Sequence, residues 1–538
     1  MDYDWRQAFV IETEVASIMA EQANTGVMLN KVRAGFFVHV LEEYILSIDR
    51  VAVPMMPRML EVGCTATAPF LKAGGLKANV VKWLHAEGLP EDMVDGPFTG
   101  ISWRLFDMGK TEAIKEYLIK LGWKPDTWKY RDITMHSASK RSLTPEEQER
   151  VLLRYMSDLR STNSGVLRQQ MLGLKAGTHT FRDVKQIILK KRKVPTGPKL
   201  TESSLEKFEG GELGMLLKKR LTYAHRRALI KGLISLVRPD GRIPAEANPI
   251  GTPTMRMKHS KVVNVPKAAK HVIFGKQCRS LFTAGWLDPG DWSANPRGFV
   301  FKRKDDKGKV HRSYVPPHRR ALLGYDGAGL ELRMLAHYIN DPEYTRQVIE
   351  GDIHSYNQQL AGLPTRDDAK TFIYGFIYGA GDAKLGEIVG GGKKEGAEMR
   401  ARFLKSCPKL QELIESTKLE AELNGFLVGL DGRKLKLRRD GNGKVMSHKA
   451  LNMRLQGAGA VVMKYAMCIV DERVKEQKLD ALKVIDMHDE AQFDTHPNAI
   501  AQTCNIMSDC VRLAGELLGL NCPLASDAMV GFSWAETH

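Results

Sequence analysis

No stretch of the chain comes near the ~18 uninterrupted apolar residues that a membrane-crossing helix needs. The opening Met1-Asp2-Tyr3-Asp4-Trp5 is acidic and has no apolar core, so no secretory leader is expected. Cysteine is scarce, with 7 residues (Cys64, Cys278, Cys407, Cys468, Cys504, Cys510 and Cys522) and no Cys-x-x-Cys spacing of the zinc type. At 538 residues a disulfide scaffold is unnecessary, and reduced, mostly buried thiols are expected. Internal repeats and long low-complexity tracts are missing too. These absences suit a protein of the cell interior, and a cytoplasmic location without a membrane partner is expected.

Apolar residues make up 43% of the chain, which excludes a disordered polymer. The length suggests roughly three or four domain-sized lobes. There are 80 Lys or Arg against 63 Asp or Glu, a formal net charge of +17. The excess is concentrated. Residues 131–240 carry 23 Lys or Arg against 11 Asp or Glu, a local net of +12. The sharpest cluster is Lys190-Lys191-Arg192-Lys193. A second runs from Lys218-Lys219-Arg220 through Arg226-Arg227 to Lys231. Around it Leu213, Leu216, Leu217, Leu221, Ala224, Ala228 and Leu229 recur at helical spacing, which predicts a helix with one apolar stripe and a basic remainder. A charged stripe is often only a solvated face. The absence of acids from 213–238 favours a polyanion surface instead.

Residues 7–24 read as a helix. The stretch 51–98 holds Pro54, Pro57, Pro69, Gly74, Gly75, Pro90 and Pro97 and reads as an irregular excursion. Thr144-Pro145-Glu146-Glu147 predicts a helix over 145–160, and Ser203 with Glu206 repeats a capping signal before the basic helix. Residues 286–312 read as polar turns. Beyond 320, short apolar strands alternate with helices and acidic motifs appear.

Three constellations carry chemistry. In Leu322 to Arg333 an apolar strand runs into Asp326, then Gly327-Ala328-Gly329, then a helix bearing Glu331. A carboxylate at the end of a buried strand can hold a metal, although many strands end in an aspartate that only caps a helix. In Leu482 to Phe493, two strand-forming arms flank His488-Asp489-Glu490. Adjacent carboxylates at such a tip need solvent or a cation, so the choice is an exposed turn or a metal site. With Asp326 opposite, the pair could bridge two Mg²⁺ ions ~3.5–4 Å apart. The third constellation decides. After Pro364-Thr365 a helix starts at Arg366 with Asp367 and Asp368 in its first turn, and Arg366, Lys370, Tyr374 and Tyr378 recur every fourth residue. Cations at the start of that face suit a triphosphate, and phenols further along can pack on a base or sugar.

At these residues the chain resembles family A DNA polymerases. Asp326-Gly327-Ala328-Gly329-Leu330-Glu331-Leu332-Arg333, the helix Arg366 to Gly379 and His488-Asp489-Glu490 resemble the family's motifs A, B and C. Thr254-Met255-Arg256, Gly351-Asp352-Ile353-His354, Leu430-Asp431-Gly432-Arg433-Lys434 and Asn452 to Ala460 agree in order. The likeness is greatest to the replicative polymerases of short-tailed T-odd bacteriophages, from about residue 240 onward and more loosely from residue 5. It implies an α+β right-hand fold: a palm with an antiparallel sheet, and helical fingers and thumb. Residues 1–30, 236–338 and 446–538 would form the palm and 339–445 the fingers. Residues 31–235 would form the thumb, with insertions at 51–98 and 131–195.

The resemblance implies template-directed addition of dNTPs to a primer 3′-hydroxyl with two Mg²⁺ ions, for which Mn²⁺ can substitute. Asp326 and Asp489, with the Gly327 carbonyl and Glu490, would be the metal ligands. Lys370 would contact the phosphates and protonate the leaving group, with Arg366 and His354 as further triphosphate contacts. Tyr374 would pack on the sugar. Glu331, hydrogen-bonded to Tyr378, would exclude a ribose 2′-hydroxyl. Arg256, Asn452, Gln456 and His488 would meet primer-template DNA, as would Lys190, Lys191, Arg192 and Lys193. Arg256 and Gln456 would donate to the minor-groove acceptors common to all correct pairs.

Family relatives usually carry a proofreading or vestigial exonuclease domain before the palm. Here the palm-like helix starts near Met1, so none is expected, and Glu12 and Glu14 are too isolated to form such a site. A separate exonuclease, a helicase-primase and a single-strand-binding protein are the expected partners. The thumb insertion by which phage relatives recruit thioredoxin has no close match in 51–98, so that processivity factor is not carried over. The competing classes are an RNA-templated polymerase and an inactive DNA-binding descendant. The inactive descendant should have lost Asp326, Asp489 or Lys370, and all three are present.

Overall fold

A computed structural model describes residues 5–125, 127–136, 188–201, 203–205, 208, 210–290, 297–304, 310–440 and 443–537. The chain divides into two compact units, residues 1–42 with 223–538, and residues 43–222. The division falls inside two helices, Lys31–Met55 and Gly211–Ser235.

The larger unit is built on a four-stranded antiparallel sheet in the order Ala481–Met487, Glu490–Thr495, Ala321–Gly327, Ser526–Gly531. Strand Ala321–Gly327 is central, and its residues alternate between two cores. Leu323 and Tyr325 join one with the helices Ala450–Glu476 and Ile500–Leu517, while Leu322 joins the other with Val484, Ile485 and Trp534. Burial on both faces explains why Ala321 to Tyr325 is continuously apolar rather than alternating. Helix Arg6–Thr25 matches the expected 7–24 and packs Val15, Ile18 and Met19 against Met467 and Cys468 of the long helix. Glu12 of this helix pairs with Arg433 and Lys464, which are 2% and 1% exposed. It therefore serves as a buried tie.

Helices Leu330–Ile339, Pro342–Ile349, Ile353–Ala361, Arg366–Ile377, Lys393–Ser406 and Pro408–Asn424 follow the central strand and share its first core. Residues 286–312 differ from the polar turns expected. Phe299–Lys304 and Val310–Val315 pair as a ribbon whose Phe299 and Phe301 pack on that core, while Val300 points out, 59% exposed. The alternation was hidden because the outward position between Phe299 and Phe301 is itself apolar, Val300, and a run of cations, Lys302 to Lys304, follows.

In the unit 43–222, the stretch 51–98 is not irregular. Strands Met59–Ala66 and Phe98–Arg104 pair, with helix Ala78–Glu87 between them in sequence. Two glycines of these strands, Gly63 and Gly100, are there for packing. A Cβ on Gly63 would lie 2.0 Å from the Trp83 ring nitrogen, and one on Gly100 would lie 2.3 Å from the same indole. The strands part with side chains at those two points to admit Trp83.

Ser203 does not cap the basic helix. Ser203–Leu205 forms an isolated 3-10 turn, and the helix starts at Gly211, after Gly210 and Gly211 take φ of 38° and 64°. Its buried set also differs from the stripe expected. Leu213, Leu217, Thr222, Arg226, Ile230 and Leu233 are buried, whereas Ala228 is exposed. The aliphatic stem of Arg226 fills the place, and its guanidinium donates to the Ile273 carbonyl at 3.1 Å. Arg220 pairs with Asp49, and Lys231 with Glu42 at 2.7 Å, so much of the basic run serves the fold. The helix expected over 145–160 lies outside the described residues.

Candidate active site

The sheet brings two carboxylates to one end. Asp326 is opposite Glu490 on one neighbour and Asp527 on the other. The next residue, Gly327, donates its N–H to the Asp489 carbonyl at 3.1 Å. Asp489 occupies the two-residue turn between Met487 and Glu490, which closes because His488 adopts φ of 61°. So the strand that delivers Asp326 and the hairpin that delivers Asp489 are stitched by a backbone bond.

Burial, and then the negative charge of Glu331, raise the Asp489 carboxyl pKa above its ordinary value. The smaller of these two causes, the Glu331 charge, is one that a bound cation would offset. Among the described residues no third His, Cys, Asp or Glu completes a metal cage. Two carboxylates and the Gly327 carbonyl fit a hard divalent ion whose remaining ligands come from substrate and water, the usual coordination habit of Mg²⁺.

Glu490 departs from the ligand role expected of it. It is 4% exposed, and its oxygens accept from Arg279 Nη1 at 3.3 Å, from Gln492 Nε2 at 2.8 Å and from Trp534 Nε1. Its carboxylate is already satisfied by a buried cation and an indole. Arg279, stacked 4.3 Å from the Trp534 ring, also feels the charge of Asp326. Sequence reading missed this buried arginine because it stands in a short helix with no motif around it.

Helix Arg366–Ile377 starts on Thr365, whose hydroxyl accepts from the Asp368 N–H at 3.1 Å. Ala369, Phe372, Ile373, Phe376 and Ile377 are buried, which turns the other face outward. On it Arg366 and Lys370 are exposed, Tyr374 is half-buried, and Tyr378 follows at the helix end, 43% exposed. Burial and the charges of Glu331 and Asp489 raise the Tyr374 phenol pKa, which ties this face electrostatically to the carboxylate pair.

Arg366 is not unengaged. Its Nε and Nη2 donate to both oxygens of Asp352, at 2.7 and 3.1 Å, a partner the motif alone did not reveal. Asp352 also caps helix Ile353–Ala361 through the His354 N–H. His354 stands 6.2 Å from the Tyr374 ring. Burial and the cations Arg366 and Lys370 lower its pKa, so the ring is held neutral.

Glu331 bridges. Its Oε1 accepts from Tyr378 Oη and from Arg256 Nη2, each at 3.1 Å. The Tyr378 phenol is pushed up to about 12 by burial and by that carboxylate. Asn452 Nδ2 donates to the Tyr378 carbonyl at 3.4 Å, and Gln456 is half-buried one turn further along the same helix. Arg256, His488 and Asp489 line one cleft with Met257, His259 and Met463. Lys190, Lys191, Arg192 and Lys193 fall in the other unit, on strand Ile188–Pro198 paired with Trp128–His136. Their side chains are outside the described residues.

A profile of DNA polymerase family A matches residues 177–536. The chain belongs to that family. It is a DNA-directed DNA polymerase of phage type. A DNA-directed DNA polymerase of Escherichia phage Phieco32 is 39% identical over 98% of this chain and 99% of its own length. Those of Enterobacteria phage T3 and Escherichia phage T7 are each 33% identical over 57% of this chain and 43% of their own. Among solved structures, the POL domain of Pol1 from M. smegmatis, in complex with DNA primer-template and dNTP, superposes with a TM-score of 0.53. At 20% identity, covering 73% of this polymerase and 67% of that chain, it speaks for the fold, an α+β right-hand polymerase architecture. Among the described residues no helix of the polymerase is long and apolar enough to cross a membrane.

Proposed function

We propose that this polymerase extends a DNA primer on a DNA template by two-metal phosphoryl transfer, with Asp326 and Asp489 as its metal-holding carboxylates. The observation that carries the reading is the convergence of these two aspartates at one sheet end, with Asp489 electrostatically coupled to Tyr374 on the cationic helix face. Two Mg²⁺ ions held there, or Mn²⁺ in their place, would supply Lewis-acid activation of the primer 3′-hydroxyl and neutralise charge on the α-phosphate. Lys370 meets the triphosphate from the exposed face and gives a proton to the departing pyrophosphate. Arg366, presented by Asp352, and neutral His354 orient the same phosphates. Tyr374 packs on the incoming sugar. Glu331, pinned by Arg256 and Tyr378, fills the space a 2′-hydroxyl would need.

In this reading residues 1–30, 236–338 and 446–538 are palm, 339–445 fingers and 31–235 thumb. Arg256, Asn452, Gln456 and His488 approach the primer-template, and proofreading is not a property of this chain. The test is primer extension on DNA and RNA templates, with dNTPs against rNTPs and Mg²⁺ against EDTA. Extension on DNA with dNTPs that stops in EDTA supports the reading; equal use of rNTPs overturns it.

A further inference from the structure

A second concavity of the larger unit, about 700 Å³, shares no residue with the cleft at Asp489. It opens at the start of helix Lys31–Met55. Its apolar floor stays in water: Val32 and Phe36, one turn apart, are 87% and 60% exposed, and Trp286 is 56% exposed. Contiguous exposed apolar surface of this kind marks a docking site more often than a solvated face. The Arg319 guanidinium lies 3.3 Å from the Trp286 ring centroid and donates to the Ala284 carbonyl, which fixes the indole.

The rim is of one sign. Lys31, Arg33 and Arg319 line the groove, and no carboxylate does so among the described residues. The helix has no acid in its first turn, where acids are favoured, so two cations stand at the positive end of its dipole. That arrangement costs the free protein stability and is relieved by an anion.

We propose that this groove docks an acidic peptide segment of a partner protein, with an aromatic or large aliphatic side chain seated on Phe36 and Trp286. Its carboxylates would meet Lys31, Arg33 and Arg319. A nucleic-acid strand suits the groove less well. Phe36 and Trp286 offer faces on which bases stack, but Lys31, Arg33 and Arg319 are too few to form a track for successive phosphates. A second copy of this chain suits it less well still, since the net charge is +17.

The test uses the full-length polymerase and fluorescence anisotropy with three labelled probes. They are a peptide of Asp and Glu around one central Phe, the same peptide with Ala for Phe, and oligothymidylate. The Phe peptide should bind, and loss of its Phe should weaken it about tenfold or more. Trp286→Ala and the double charge reversal Lys31→Glu with Arg33→Glu should each do the same, while single-nucleotide primer extension stays near wild type. The reversal acts at exposed positions, so it remains informative even if Trp286→Ala misfolds. The proposal is overturned if the peptide fails to saturate by about 1 mM. It is equally overturned if neither variant changes its binding, or if oligothymidylate displaces it and loses affinity in both variants.

Discussion

The bridge at Glu331 makes a graded prediction about sugar selection. Its Oε1 is held by two donors, Tyr378 and Arg256, each at 3.1 Å. A ribonucleotide whose 2′-hydroxyl needs that space must displace the carboxylate from both. Hydrogen bonds to a charged group contribute ~1.5–3 kcal/mol when buried. Here Tyr378 is 43% exposed and the Arg256 side chain 27%, so solvent screening reduces each to the order of 1 kcal/mol. Displacing both then costs about 2 kcal/mol, or roughly 30-fold in discrimination. Glu331→Ala should therefore raise ribonucleotide use relative to deoxyribonucleotide use about 30-fold, and Tyr378→Phe, which removes one of the two donors, about 5-fold. Glu331→Gln keeps the size but loses the charge, and should fall between them. The assay is the ratio of single-nucleotide kcat/KM for matched dNTP and rNTP, in which general damage to the enzyme cancels. A ratio for Glu331→Ala within about twofold of wild type would refute the gate, and so would a larger effect of Tyr378→Phe than of Glu331→Ala.

Asp326→Ala or Asp489→Ala should abolish nucleotide addition while primer-template binding, read by gel shift, survives; retention of about a tenth of the wild-type rate rejects the metal assignment. A mismatched primer incubated with pure enzyme and Mg²⁺ but no dNTPs should stay intact, because Glu12 is committed to Arg433 and Lys464 instead of to a nuclease site. Gly100→Ala should destabilise the polymerase by about 1–3 kcal/mol by driving a Cβ into Trp83, and the same change in a Trp83→Ala background should cost much less in thermal unfolding. Trimming residues 137–194 to a Gly/Ser linker should flatten the log–log salt slope of duplex binding by about 0.9 for each phosphate the enzyme no longer neutralises, and shorten products under a DNA trap; unchanged product length rejects a DNA-holding role.

What could be read from the sequence, and what could not, divides along the range of the interactions involved. The strand into Asp326, the hairpin at Asp489 and the helix from Arg366 were legible because each is specified by neighbours a few residues away. Their signals are a run of Leu and Ala ending in small residues, two β-forming arms around a tight turn, and two acids in a first turn with two cations and then two phenols at every fourth position. Even the hydrogen bond from Tyr378 to Glu331 followed from the resemblance. The misreadings fall where a distant partner decides. Residues 51–98 look irregular until Met59–Ala66 pairs with Phe98–Arg104 and Trp83 packs on Gly63 and Gly100. Glu490 looks like a metal ligand until Arg279, 211 positions away, takes its carboxylate. Arg226 counts toward a polyanion surface until its guanidinium is found on the Ile273 carbonyl. The same limit applies to the +17 charge itself. Arg279, Arg320, Arg433 and Lys464 are all buried against carboxylates, so they contribute to the total without being offered to DNA. Composition sets the sign of the surface, but burial selects which cations a phosphate can reach. Lys370, exposed on the outward face of its helix, meets that condition.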